Sequence, residues 1–366
     1  MSKPLSAVDC IGPAFTQTKD QLFVPFRFKR WARLALVCLI TGEFAGGGGG
    51  GGSTGTFNFP VPHDKGGKEL LALSDFNWSK VLPWLPWILG GVVVVFSIIF
   101  LWVYVASVYR FVLFDSVLYN RCELKGSWGR WERCGRSYFF WSLALFLVSM
   151  VGSGLIVGVP LLLAWRAGLF HHPSQHLVAL ILGGAALLFV LFAFFIVSAI
   201  AGLFAKDFCV PIMAMEKVGV LDGWRRLLPM LAGEKLAFTG YVLMKIVLAI
   251  GSAIIFGIIT FLTIIILLIP LGIAGVVVFL VGKALGLALN VATISILVIL
   301  GGIILTGIIY LVALISTPAM VFFQSYVLHF LGSRYPALGR VVFPPPPETP
   351  PPLPLGAAPA IEPSAG

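Results

Sequence analysis

The side chains able to do chemistry are few and widely separated. Lys245 lies inside an apolar run, TGYVLMKIVLA. An ionisable group at membrane depth costs at least ~2.5 kcal/mol and marks a functional candidate. Lys245 is also only a turn or two from the start of its run, so its stem is expected to snorkel and carry the ammonium to the headgroups. Lys283 and Asn290 are seven residues apart and share a helix face. With Lys245 they are the residues that would line a path for a small or anionic solute. Asp115 and Asp207 directly follow two apolar runs, close to Arg110 and Lys206. They are expected to form interfacial ion pairs, or else to line a vestibule together. Trp128-Gly-Arg130 and Trp224-Arg225-Arg226 combine an indole with guanidinium groups, which suits anionic lipid headgroups at about 1 kcal/mol per basic residue. Ser127 and Asp222 are expected to cap the helices that carry them.

Other constellations are weaker. His171-His172-Pro-Ser-Gln-His176 offers three imidazoles without a carboxylate or thiol, and Pro173 breaks the spacing, so a plain turn is expected rather than a metal site. Gly46 to Gly52 is a run of seven glycines with no following Lys and no preceding strand, which excludes a phosphate-binding loop. No nucleophile elbow, HExxH or paired catalytic carboxylate occurs. The reading is non-enzymatic, with no catalytic residue and no cofactor.

The surrounding chain fixes the class. It has 366 residues, 59% hydrophobic and only 11% charged, with a mean hydropathy of +1.00. Soluble domains carry about 25% charged residues. An ordinary soluble enzyme, a disordered chain and a small disulfide scaffold are excluded, leaving an all-α polytopic transmembrane bundle. The net charge of +10 is split among loops between apolar runs, which argues against nucleic acid and for an anionic membrane face. The five cysteines, Cys10, Cys38, Cys122, Cys134 and Cys209, form no metal-binding spacing and are expected to be free thiols.

The chain divides into a basic N-terminal segment (1–42), a Gly-rich loop (43–80), a transmembrane domain (81–335) and a Pro-rich disordered tail (336–366). Within residues 28–44 the apolar run is shorter than the ~20 residues that span hydrocarbon. Longer spans are expected from after Pro83 and Pro86 to Tyr109 and at about 138–165, 177–205, 239–264 and 290–317. A short segment at 266–285 is set off by Pro270-Leu271-Gly272. Loops 110–137 and 206–238 hold six and five Lys/Arg and are assigned to the cytoplasm. If 28–44 crosses, 18 basic residues fall inside and 6 outside, so seven segments are favoured over six.

A shift of 96 residues brings Ser127-Trp128-Gly129-Arg130 onto Gly223-Trp224-Arg225-Arg226, the pattern of a pseudo-repeated hairpin. Glycines at 152, 154, 158, 183, 184, 251, 257, 282, 286, 301, 302 and 307 are expected to pack helices into a compact bundle, or to join copies in a homo-oligomer. Phe23-Val-Pro-Phe26 with Lys29-Arg-Trp31, and then Asp207-Phe-x-x-Pro211, resemble a loose group of uncharacterised bacterial multi-pass proteins. That group is similar to the membrane domain sometimes fused to glycerophosphodiester phosphodiesterases. The resemblance implies a membrane domain of about six helices in the bacterial inner membrane. It transfers no functional residue. The expected role is to organise or sense anionic lipid, and the alternative is a transporter or pore.

Overall fold

The computed structural model describes residues 4–24, 26–42, 83, 85–120, 126–168, 177–284 and 291–344. Its architecture is all-α. Two short helices open the chain, α1 (Ile11–Leu22) and α2 (Phe28–Thr41). Then come α3 (Leu85–Leu118), α4 (Ser127–Arg166) and α5 (Leu177–Phe204). A π-helical turn (Ala205–Cys209) joins α5 to α6 (Val210–Glu216). The order closes with α7 (Val220–Gly233), α8 (Lys235–Ala284), α9 (Val291–Gly332) and α10 (Pro336–Val342). Among the described residues, five continuous helices are long and apolar enough to cross a membrane: α3, α4, Leu180–Glu216, α8 and α9.

The core lies at one end of these helices. Most of its buried side chains lie between Val108 and Val117 of α3, between Trp131 and Phe139 of α4, between Leu203 and Ala214, at Phe238 and Tyr241 of α8, and between Ala313 and Leu331 of α9. Cys10, Ala14, Leu34, Val37, Cys38 and Leu338 bring α1, α2 and α10 into the same cluster. From this hub the other ends of the five helices project as arms, and the most apolar window of each is essentially unburied by protein. Leu, Ile, Val and Phe exposed in such rows require hydrocarbon rather than water around them, which makes the chain a membrane protein.

Polar ties hold the short helices in the hub. The last carbonyls of a helix lack intrahelical donors. Val117, one residue from the end of α3, accepts from the side-chain amides of both Gln17 and Gln21, which are one turn apart on α1. On α2, the Trp31 indole donates to the Leu314 carbonyl (2.9 Å), and the Tyr310 hydroxyl donates to the Ala32 carbonyl (2.9 Å).

Several expectations are corrected. Pro270 does not end a segment: α8 runs unbroken for 50 residues through it. Proline removes one backbone hydrogen bond, a loss that membrane helices tolerate through local adjustment. The segments at 239–264 and 266–285 are therefore one helix, and α9 returns to the hub. At 14 residues, α2 is about 21 Å long, short of the ~30 Å hydrocarbon core. Residues 336–342, assigned to the Pro-rich tail, form α10, which packs Leu338 into the hub. The glycines do not make a compact bundle. A Cβ at Gly154, Gly158, Gly183, Gly184, Gly251, Gly257, Gly301, Gly302 or Gly307 would meet nothing within 4 Å. Close approach occurs at Gly135, where a Cβ would lie 2.9 Å from the Val108 Cα, and at Gly152 against the Phe194 ring. The Gly-rich loop, Cys122, His171 to His176, Gly286 and the polyproline stretch lie outside the described residues.

Candidate functional site: a sealed ion pair and a basic interfacial helix

Asp207 sits in the π-helical turn. Pro211, four residues on, has no N–H for the Asp207 carbonyl, and its ring crowds that carbonyl. The helix responds by widening, with the Val210 N–H bonding the Ala205 carbonyl five residues back. This turn presents the Asp207 carboxylate to α8. There it ion-pairs with Lys245 and accepts a hydrogen bond from the Tyr241 hydroxyl at 2.9 Å. Tyr241 precedes Lys245 by four residues, so both reach the same carboxylate from one face. Asp207 and Lys245 side chains are each 3% exposed.

Aromatic rings seal the pair. Tyr241 stacks on Tyr326 with centroids 5.3 Å apart and meets Phe330 at 4.6 Å. Phe208 meets Tyr241 at 5.0 Å and Phe238 at 5.2 Å. Lys245 therefore does not snorkel. Its charge is neutralised inside the hub, and the pair joins the π-helical turn to α8.

The two aspartates do not share a vestibule. Asp115 pairs with Arg130 at 3.5 Å, on α4, while Asp207 belongs to Lys245. Lys283 is exposed near the far end of α8, 38 residues from Lys245, which is about 57 Å of helix. The two lysines therefore form no common site. Asn290 lies outside the described residues.

The Trp/Arg segments fall at the hub end. Trp128 is half-buried beneath Tyr104 and Tyr109, with Arg130 exposed beside it. Trp224 is half-buried on α7 against Trp141, at 5.9 Å. Arg226 ion-pairs with Glu216, which also accepts from the Tyr335 hydroxyl. Burial pushes the Tyr335 phenol up, and the Arg226 charge opposes that shift. Arg225 points outward, 80% exposed, with Asp222 at 3.4 Å.

On α7, Val220, Gly223 and Leu227 are buried while Leu221 and Leu228 are 67% and 53% exposed. The exposed face thus alternates leucine with Arg225. Neither Ser127 nor Asp222 is an N-cap. Gly126 and Gly219 hold those positions, and the first α7 amide, of Val220, is capped by the Ser137 hydroxyl of α4 at 3.1 Å.

Three features were not singled out from sequence: Tyr241, the Glu216–Arg226–Tyr335 cluster, and the Arg334–Glu234 ion pair at 2.8 Å. The spacing of Tyr241 and Lys245 was the only local signal. The other two depend on Tyr335 and Arg334, which lie 119 and 100 positions from the acids they meet. Among the described residues, no group of three His, Cys, Asp or Glu side chains converges to hold a metal.

Fold and site together define an integral membrane protein with a packed polar-aromatic hub and five apolar arms. The chain belongs to the family of unknown function DUF7544, whose profile matches residues 5–341. No curated protein and no solved structure matches it. The family match draws no link to glycerophosphodiester phosphodiesterases.

Proposed function

We propose that this is a non-enzymatic membrane protein that organises or senses anionic lipid. Its basic hub end would face the cytoplasm and its arms would cross the inner membrane of a bacterial cell. The observation that carries the reading is the outward face of α7. Exposed Leu221 and Leu228 flank exposed Arg225, opposite a face anchored in the hub. Such a helix lies in the plane of an interface, leucines in the acyl boundary and guanidinium at the phosphates. Among the described residues, the basic side chains of α1, α2 and α10, those of 110–120 and 126–137, and those of 206–238 gather at the same end.

We read α2 as a sixth, short element embedded beside the five arms. The hairpin repeat gains support from its ion pairs. In each unit an arginine two residues after the tryptophan pairs with an acid of the preceding helix, Arg130 with Asp115 and Arg226 with Glu216. A pore lined by Lys245 and Lys283 has less support, because one lysine is sealed by Asp207 and the other lies at the opposite end of α8.

The test is thermal unfolding in mild detergent with added phosphatidylglycerol or phosphatidylcholine. Phosphatidylglycerol should raise Tm in the wild type and do so much less in the Arg225→Gln/Arg226→Gln variant. Equal shifts in both proteins would remove the reading.

A further inference from the structure

A second lipid contact lies away from α7. The segment before α1 packs beside the first turns of α8 and leaves a groove of about 590 Å³. Its wall, Pro4 to Val8, is fixed by polar ties. Ser6 and Asp9 bond one another, with the Ser6 hydroxyl donating to the Asp9 carboxylate at 2.7 Å. The Leu5 carbonyl accepts from Arg334 and the Ala7 carbonyl from Tyr326. The opposite wall is one stripe of α8, with Leu236, Gly240, Leu243 and Val247 facing the groove. A Cβ at Gly240 would meet nothing within 4 Å, so the glycine leaves the floor open. Leu236, Leu243 and Val247 remain 90%, 61% and 61% exposed, so the groove opens sideways to the lipid.

The two ends of the groove differ. At the hub end, the Arg334 Nε donates to Glu234 Oε2, and its Nη1 donates to the Leu5 and Phe330 carbonyls and the Ser333 hydroxyl. Arg334 lines the groove with its side chain 5% exposed, and the Glu234 carboxylate beside it is 42% exposed, so this ion pair borders the mouth. From there the apolar stripe runs 12 residues along α8, from Leu236 to Val247, about 18 Å, which exceeds one leaflet of a ~30 Å hydrocarbon core.

We infer that the groove holds one phospholipid of the phosphatidylethanolamine type. An acyl chain lies along Leu236 to Val247, the phosphate meets Arg334, and the ammonium meets Glu234. A cation and an anion side by side at the end of an apolar channel complement a zwitterionic headgroup. An anionic headgroup would place a second negative charge against Glu234. The inference goes beyond the anionic-lipid reading, since it names a zwitterionic ligand at a separate site and uses none of the α7 residues.

The experiment is native mass spectrometry of the full chain in mild detergent, with phosphatidylethanolamine and phosphatidylglycerol added in equal amounts. One phosphatidylethanolamine per protein should survive in the wild type. Gly240→Phe and, independently, Val247→Trp should reduce that occupancy at least tenfold. Glu234→Gln should abolish the preference between the two headgroups. Unchanged occupancy in both groove variants, preferred retention of phosphatidylglycerol, or no retained lipid in the wild type would each overturn the proposal. The Arg225→Gln/Arg226→Gln variant should keep its phosphatidylethanolamine. Failure here therefore stays distinct from failure of the phosphatidylglycerol-dependent thermal shift.

Discussion

Lys245 of α8 and Asp207 of the π-helical turn neutralise one another inside the hub, each side chain 3% exposed. Removing one member of a buried pair strands the other charge and typically costs ~3–5 kcal/mol. Lys245→Met and Asp207→Asn are each expected to lower stability by about that amount in detergent unfolding. The double variant, which removes both charges, should recover part of the loss. Additive losses would show that the two residues act separately.

The pair was only half legible in the sequence. Lys245 stood out because an ammonium inside an apolar run is costly, yet its position near a helix start favoured snorkelling. What decides its state is a carboxylate 38 residues away, aimed by a π-helical turn that one proline induces. The apolar runs fixed the membrane class because hydropathy is a local sum. The hub escaped detection because its ties, such as Gln21 to Val117 and Arg334 to Glu234, join distant segments. Pro270 and the glycines misled for a related reason. Each was read by its local meaning, while the tertiary setting let α8 continue and left most glycine faces open.

Gly135 differs from those open glycines. Its α-carbon faces Val108 so closely that a Cβ would lie 2.6 Å from one valine methyl and 2.9 Å from the Val108 Cα. The second contact is with backbone, which cannot swing away. Overpacking of this kind costs ~1–3 kcal/mol. Gly135→Ala should lower Tm measurably, whereas Gly301→Ala, with open space around it, should not. Similar Tm values for the two variants would show that α3 and α4 do not meet at this point.

The α2 helix is held to α9 by the Trp31–Leu314 and Tyr310–Ala32 hydrogen bonds. Such bonds contribute about 1 kcal/mol each. The double variant Trp31→Phe/Tyr310→Phe should loosen α2 from the hub. Peptide-level hydrogen exchange should then rise across Phe28–Thr41 and stay level across α4. A uniform rise over the whole hub would mean that α2 is integral to the global fold rather than tied on at these two points.

Cys10 gives a prediction in pH. Burial pushes its thiol up to about 11, with the nearby Arg334 charge opposing and Asp9 assisting. A group whose pKa is raised by folding stabilises the native state fully below its unfolded value. That contribution shrinks as pH climbs from about 9 to about 11, because the unfolded chain releases the proton first. Stability should therefore fall across that window. Alkylation follows the thiolate, so at pH 8 the folded-state rate at Cys10 should be at least a hundredfold below that of the unfolded chain. Peptide-resolved mass spectrometry of iodoacetamide-treated protein measures this, with Cys38, Cys134 and Cys209, all buried free thiols, as internal comparisons. Rapid labelling of Cys10 in the folded protein would place α1 outside the hub and remove the wall on which the lipid groove depends.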